Sequence, residues 1–467
     1  MTTTLRSPAA GIGRRPARRW RIVAGCAAAA VVSLAVPAAL TFDAWAWLVW
    51  GREVAELGLD TTGGPSWKPL PVVFTTVVAP LGDAAVPTWL VLARTGTLLA
   101  LVGTYRLASR AAGPGAGWLA GVLLVLSPDG DPRFLRLLGE GHVAPWSAAC
   151  AFFAVELHLD GRRSGALALG GAAALLRPEA WPFLGLYAAW LWWRDPARRP
   201  MVVAAVAAVP VLWFVPDWLA AGSPLHGAGA AQVAADVAVV GRFADSAEVL
   251  ALMVVPVAWL AAAYGLRTAW LRDERWLAVL AAGAAAWASL VMVMATVFGY
   301  AALSRFYLPA TAVVCVLAGI GAARAWSALH GRGRAVLAAG LAAVAVLSLA
   351  PRVVDVVPLV ESVTERGPVE AELDAALAEV GRERLLACDD LAVDAVGLFR
   401  TSVAWKLDLP LERVPVSLDA DPRPVGVMLV RTGGDRDVAI SRQGHTVPVL
   451  RNAAWSVLAI NCPSAAP

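Results

Sequence analysis

Apolar residues fall in long blocks along the chain, and most charged residues sit in the joints between them. Such blocks read as helices buried on every side, in protein or in lipid. Eleven can be marked off, at 22–40, 86–107, 116–127, 143–159, 165–176, 180–193, 201–220, 248–266, 276–298, 306–323 and 335–350. A membrane-spanning helix consumes about 20 apolar residues, so the pattern predicts an all-α polytopic membrane protein of about eleven spans. The block 165–176 is short and ends at Arg177-Pro178-Glu179. It reads as half of a broken pair, whose turn at membrane depth must line a cavity or be buried in protein. From residue 351 the pattern changes to amphipathic and alternating. A helix is expected over 370–380, with Leu373, Leu377 and Val380 on one face, and strands over 384–387, 425–430, 446–450 and 455–460. These predict a small α/β domain over 351–467.

Composition removes whole classes of function. Of 467 residues 59% are hydrophobic and only 16% charged, against roughly a quarter charged in ordinary soluble domains. A soluble protein of this length is excluded. The net charge of +4 comes from scattered arginines, not from a basic stripe interleaved with stacking aromatics, which excludes nucleic-acid binding. Five cysteines without a C-x-x-C pair exclude a zinc finger or a disulfide scaffold. The Arg-rich, Lys-poor, Ala-rich usage fits a high-GC bacterial genome.

Charge also orients the chain. Six arginines precede residue 22 with no acid before Asp43, which predicts a basic cytoplasmic tail over 1–19; a cleaved signal peptide ending near Val36-Pro37-Ala38 is the competing reading. Up to residue 350, 19 of 27 basic residues fall in the tail and the even-numbered joints, and seven in the odd-numbered ones. The bias puts a transmembrane domain over 20–350 in the plasma membrane and the acidic domain 351–467 outside the cell. Cys388 and Cys462 then share an oxidising compartment and are expected to be bonded.

The first outer joint opens Thr41-Phe42-Asp43-Ala44-Trp45-Ala46-Trp47, with Trp50 to follow. It reads as an interfacial helix with an aromatic belt, carrying an acid at the lipid–water boundary. On spacing alone Asp43 is equally a helix cap or a solvated loop acid. Lys68, one of only two lysines, lies at the outer face, where it suits a phosphate headgroup as a point charge or snorkels to the interface. Arg94 lies inside a block, where an arginine is expensive unless it faces a cavity or an anion, or pairs with a buried carbonyl or acid. Glu140 and His142 precede another block, where a helix N-cap region with an ordinary exposed histidine is the local reading. Asp129-Gly130-Asp131 invites comparison with the metal-binding D-x-D of nucleotide-sugar enzymes, but those substrates are cytoplasmic and this triplet is expected outside.

In this order, Phe42-Asp43, Trp67-Lys68-Pro69-Leu70, Arg94-Thr95-Gly96-Thr97 and Tyr105-Arg106-Leu107, then Leu175-Leu176-Arg177-Pro178-Glu179 and Ser304-Arg305-Phe306-Tyr307-Leu308-Pro309, the chain resembles the class C (GT-C) glycosyltransferases over residues 20–325. These are multispan enzymes that use polyprenyl-phosphate sugars. The Leu-Arg-Pro-Glu turn is similar to that of their mannosyltransferase branch. The resemblance implies transfer of a hexose or pentose, mannose or arabinofuranose, from a polyprenyl-phosphate donor to an envelope polysaccharide, glycolipid or glycoprotein at the outer face. Asp43 would be the general base; Arg94, Lys68 and Arg305 would meet the donor phosphate. Glu140, His142, Arg177 and Glu179 would serve the acceptor or a second acidic site. The first loop has a single acid, not an adjacent pair, so a divalent cation stays an open question. A transporter or flippase is the rival from another class, although no internal repeat is found; a catalytically inactive scaffold of an envelope complex is the other.

Overall fold

The computed structural model describes residues 16–126, 134–232, 237–354, 356–388, 390–394, 399–415, 425–433 and 446–465. Among the described residues each apolar block is helical over most of its length, with 36–40 and 253–255 outside any helix. The chain runs through α1 (Pro16–Val32), α2 (Phe42–Ala55), α3 (Pro69–Val78), α4 (Ala85–Ala112), α5 (Pro114–Val125), α6 (Phe134–Glu140), α7 (Ala144–Leu159), α8 (Arg163–Leu176), α9 (Trp181–Arg194) and α10 (Arg199–Ala221). It continues through α11 (His226–Ala230), α12 (Val239–Leu252), α13 (Pro256–Leu271), α14 (Arg275–Phe298), α15 (Ser304–Ala328), α16 (Gly331–Val354), α17 (Val356–Val380), α18 (Arg382–Leu385) and α19 (Arg400–Lys406).

By length and composition, four helices among the described residues can cross a membrane: Pro69–Ala112, Pro196–Ala221, Arg275–Phe298 and Ser304–Ala328. The block 248–266 is not one straight helix. It breaks before Pro256, which cannot donate into the preceding turn, and α12 and α13 bend by 75°; counted as one broken span, the pair is the fifth. By helix length and composition the described residues account for four or five of the eleven expected spans. α5 and α8 are apolar but have only 12 and 14 residues, about 18 and 21 Å of helix against a core of about 30 Å.

α15 is the hub, its apolar window 78% buried and packed on α13, α5 and α14. Close approach explains its glycines. A Cβ on Gly321 would fall 1.9 Å from the Ala261 carbonyl oxygen, so no larger residue lets α13 and α15 meet there.

The C-terminal part carries a four-stranded sheet, β1 (Asp390–Asp394), β2 (Gly426–Arg431), β3 (Thr446–Arg451) and β4 (Trp455–Ile460), in the order β1-β2-β4-β3. β1 pairs parallel with β2, and β4 antiparallel with both β2 and β3. The helix expected over 370–380 is the end of the longer α17, and Leu373, Leu377 and Val380 are buried as its periodicity requires. The strand expected over 384–387 is absent: Gly381 takes φ +80° and starts the short helix α18, which buries Leu385. Cys388 and Cys462 are disulfide-bonded with Cα atoms 6.0 Å apart.

This domain seats directly on α2. Arg52 donates to the Leu409 carbonyl at 3.0 Å and to that of Trp405 at 3.3 Å, and pairs with Asp408 at 2.8 Å. Trp45, Trp47 and Trp50 are buried. The expected aromatic belt is thus corrected: the α2 tryptophans pack in protein, Trp47 edge-on to Trp89 and Trp50 against Trp67, because α3 lies on one side of α2 and α19 on another.

Candidate functional site

Two backbone contacts bring the first joint beside the Glu140 turn. Ala39 N–H donates to the Gly139 carbonyl at 3.0 Å, and Thr41 N–H to that of Glu140 at 3.2 Å. Gly141 makes the turn possible. It has φ +71°, and a Cβ there would sit 2.6 Å from the Leu40 side chain, so both backbone conformation and space require glycine. Asp43 follows in the first turn of α2, where the positive end of the helix dipole favours a carboxylate.

Two cations answer that carboxylate. Lys68 Nζ lies 3.7 Å and Arg305 Nη2 3.9 Å from Asp43 Oδ2. Lys68 caps α3 just ahead of Pro69 and lies over the Trp47 ring, 5.1 Å from its centroid; Arg305 opens α15 and lies over Phe306. Burial pushes the Asp43 carboxyl up, but Lys68, Arg305 and His142 outweigh it and hold it below the ordinary carboxylate value. Burial lowers the Lys68 ammonium, with Asp43 opposing and Arg177 and Arg305 adding to the drop.

Glu140 and His142 form a second group on the same side. His142 Nε2 is 3.0 Å from Glu140 Oε2, while Glu140 Oε1 receives Arg136 at 2.5 Å and Arg366 of α17 at 3.0 Å. Burial lowers the His142 pKa, and Arg305 adds to the drop, more than Glu140 can restore; a neutral imidazole donating to a carboxylate fits this geometry. Glu140 is raised by burial and brought below its ordinary value by His142 and then Arg136. At the α8–α9 break Arg177 and Glu179 are both buried and paired at 2.7 Å, and the Arg177 guanidinium lies 4.2 Å from the Phe306 ring centroid. Arg366, Arg136 and Trp47 are site residues that the sequence did not single out.

Arg94 stands apart. It is buried, but its guanidinium donates to the carbonyls of Leu138 at 2.9 Å and Val36 at 3.3 Å, to Ser33 Oγ at 3.0 Å and, in a shorter contact, to the Ser33 carbonyl. These contacts match the other reading of Arg94, a buried arginine held by carbonyls, and they tie the end of α1 to α4 and the Glu140 turn. Asp129 and Asp131 lie outside the described residues. Among the described residues no three His, Cys, Asp or Glu side chains come together as a metal site.

Among the described residues, Asp43 faces Lys68 and Arg305, Glu140 pairs with Arg136 and Arg366, and Glu179 pairs with Arg177. Two buried indole donors in the same wall, Trp47 Nε1 and Trp89 Nε1, have no hydrogen-bond partner among the described residues, and buried donors are normally satisfied. An ionised carboxylate flanked by two cations can accept a proton while the cations meet an anion.

No protein-family model matches the sequence, and no curated protein matches it. Among solved structures the chain is similar to ArnT from Cupriavidus metallidurans in the apo state (16% identity, 97% of this chain and 100% of that one, TM-score 0.52) and bound to undecaprenyl phosphate (14% identity, the same coverage, TM-score 0.56). A weaker match, to the Archaeoglobus fulgidus oligosaccharyltransferase, reaches a TM-score of 0.48 at 13% identity over 88% of this chain and 68% of that one. At these identities the ArnT likeness establishes a shared fold over the whole chain.

Proposed function

We propose that this chain is a class C glycosyltransferase of the bacterial plasma membrane, moving a sugar from a polyprenyl phosphate to an acceptor hydroxyl at the outer face. The observation that carries the reading is Asp43 placed between Lys68 and Arg305, in a fold shared with a protein crystallised with undecaprenyl phosphate. In the reaction the acceptor oxygen bonds to the anomeric carbon, the bond from that carbon to the phosphate oxygen breaks, and polyprenyl phosphate leaves with the electron pair. The acceptor proton passes to Asp43. A carboxylate within hydrogen-bond reach contributes about 10²- to 10⁴-fold as a general base. The leaving phosphate gains one negative charge, which Lys68 and Arg305 neutralise.

Arrival of the phosphate also frees the base. Both cations face Asp43; a phosphate competes for them, and a carboxylate that loses a cation takes up a proton more readily. Glu140 and His142, held by Arg136 and Arg366, orient the acceptor, and the paired Arg177 and Glu179 shape the opposite wall. The acceptor, whether polysaccharide, glycolipid or glycoprotein, and the sugar, mannose or arabinofuranose, follow from the sequence resemblance.

The test is to incubate the purified protein with undecaprenyl phosphates carrying radiolabelled mannose or arabinofuranose, together with envelope extracts. Release of undecaprenyl phosphate with transfer of label to a lipid or glycan supports the reading. Movement of intact lipid-linked sugar across vesicles with no release would favour a flippase.

A further inference from the structure

The far end of the α7–α8 hairpin holds a feature that sugar transfer does not use. α7 leaves the His142 turn and runs 16 residues to Leu159, and α8 returns over 14 residues from Arg163 to Leu176, beside Arg177. The connecting turn therefore lies a full helix length, about 24 Å, from the Asp43 site. A cavity of about 580 Å³ opens there between α1, α4, α7 and α8, within the size range of small-molecule sites.

Its wall divides by chemistry. Trp20, Leu99, Phe153, Leu157 and Leu169 give it an apolar length, while Arg19, Arg162, Arg163 and Arg198 gather at one end. The nearby acids do not balance them. Asp160 is shared between Arg19 and Arg110, and Asp195 between Arg163 and Arg198. Arg162 has no ion pair among the described residues, and Arg19 Nη1 is buried without a hydrogen-bond partner. Ser164 and Gly165, in the first turn of α8, line the same end, and that helix has no side-chain cap. Arg163 and Ala166 N–H donate to the Gly161 and Arg162 carbonyls; the N–H groups of Ser164 and Gly165, unsatisfied by the helix's own turns, favour an anion.

We infer that this cavity binds an anionic phospholipid, its phosphodiester headgroup met by Arg162, Arg19 and the α8 N-terminus and an acyl chain lying along the apolar wall. A free anion would use the arginine end alone, and a zwitterionic lipid would not answer the surplus charge, so apolar wall and cationic end together select an anionic lipid. The inference does not depend on the glycosyltransferase reading, because its readout is lipid retention.

The full chain, purified in detergent, is titrated with phosphatidylglycerol or phosphatidylcholine and retention is read by native mass spectrometry. Phosphatidylglycerol is expected to bind about tenfold more tightly, a difference of the size that one or two surface arginines supply. Arg162→Glu should erase the preference. Arg275→Glu, the same charge change on an arginine whose side chain is 85% exposed at the start of α14, should leave it intact. Millimolar inorganic phosphate should not displace the lipid. Equal retention of the two lipids, equal loss in both variants, or displacement by inorganic phosphate would each overturn the inference.

Discussion

Lys68 and Arg305 offer the sharpest quantitative test of the phosphate site. The Lys68 side chain is 15% exposed against 22% for Arg305, and it stands 3.7 Å from Asp43 against 3.9 Å. At an effective dielectric of about 20, either contact is a gross Coulomb attraction of about 4 kcal/mol, so the two cations rank equal. Replacing either with a neutral side chain of similar length, Lys68→Met or Arg305→Gln, removes one partner of a desolvated phosphate. That costs on the order of 2–5 kcal/mol, roughly 30- to 5,000-fold in affinity. Because Lys68 lies over Trp47, a fluorescence titration with undecaprenyl phosphate in detergent reads the loss directly. The pH profile of turnover adds a sign. Lys68 and Arg305 outweigh the upward push of burial on Asp43, so losing either raises the carboxyl and moves the acid limb of the profile to higher pH. If both variants bind undecaprenyl phosphate as tightly as wild type, the cationic site is misassigned. If only Arg305→Gln fails, Lys68 serves Asp43 and not the donor.

Arg94→Gln should lower stability by about 2–4 kcal/mol, since several charge-assisted hydrogen bonds to carbonyls are lost, while the folded variant keeps wild-type donor affinity; weakened donor binding without a change in melting temperature would return Arg94 to the site. Glu53 is buried, with one oxygen accepting Asp60 N–H at 3.0 Å and the other unpartnered, and burial pushes its carboxyl up to about 7. The folded state then binds the proton more tightly than the unfolded chain, so this group's stability is full below about pH 4.5 and is lost as pH rises through about 7, by roughly 3 kcal/mol. Glu53→Gln should flatten that decline in melting temperature; parallel curves from pH 5 to 8 would count against it. Cys462→Ser opens a link spanning 74 residues and should cost about 4–5 kcal/mol in the chain-entropy model; finding Cys388 and Cys462 themselves alkylated in protein never exposed to reductant would remove the bond from the account.

What could be read in the sequence follows the range of the interactions involved. Lys68 was legible as one of only two lysines in the chain; Asp43 and Arg305 were legible because each is a charge near the edge of an apolar block, and such edges gather on one side of a helical bundle. The Arg177-Pro178-Glu179 turn was legible for the same reason, and the fold buries it as a break must be. Arg94 was legible as costly but not as to which way it faces: its carbonyl partners lie 44 to 61 residues away. Arg366 reaches Glu140 across 226 residues, and no local pattern announces that pairing. The tryptophans of α2 misled because a belt and a buried seam have the same spacing; the difference is α19, more than 350 residues later. β1 escaped notice because Asp390–Asp394 places acids at both ends of a three-residue apolar run, too short to show alternation.

The central claim is that Asp43 takes the acceptor proton while Lys68 and Arg305 hold the donor phosphate. Asp43→Asn separates the two roles, since it removes the base and the negative charge while leaving both cations in place. With a polyprenyl-phosphate sugar that the wild type turns over, the account predicts that purified Asp43→Asn is folded, binds undecaprenyl phosphate at least as tightly as wild type, and transfers sugar about 10²- to 10⁴-fold more slowly. Transfer at the wild-type rate by this variant would contradict it.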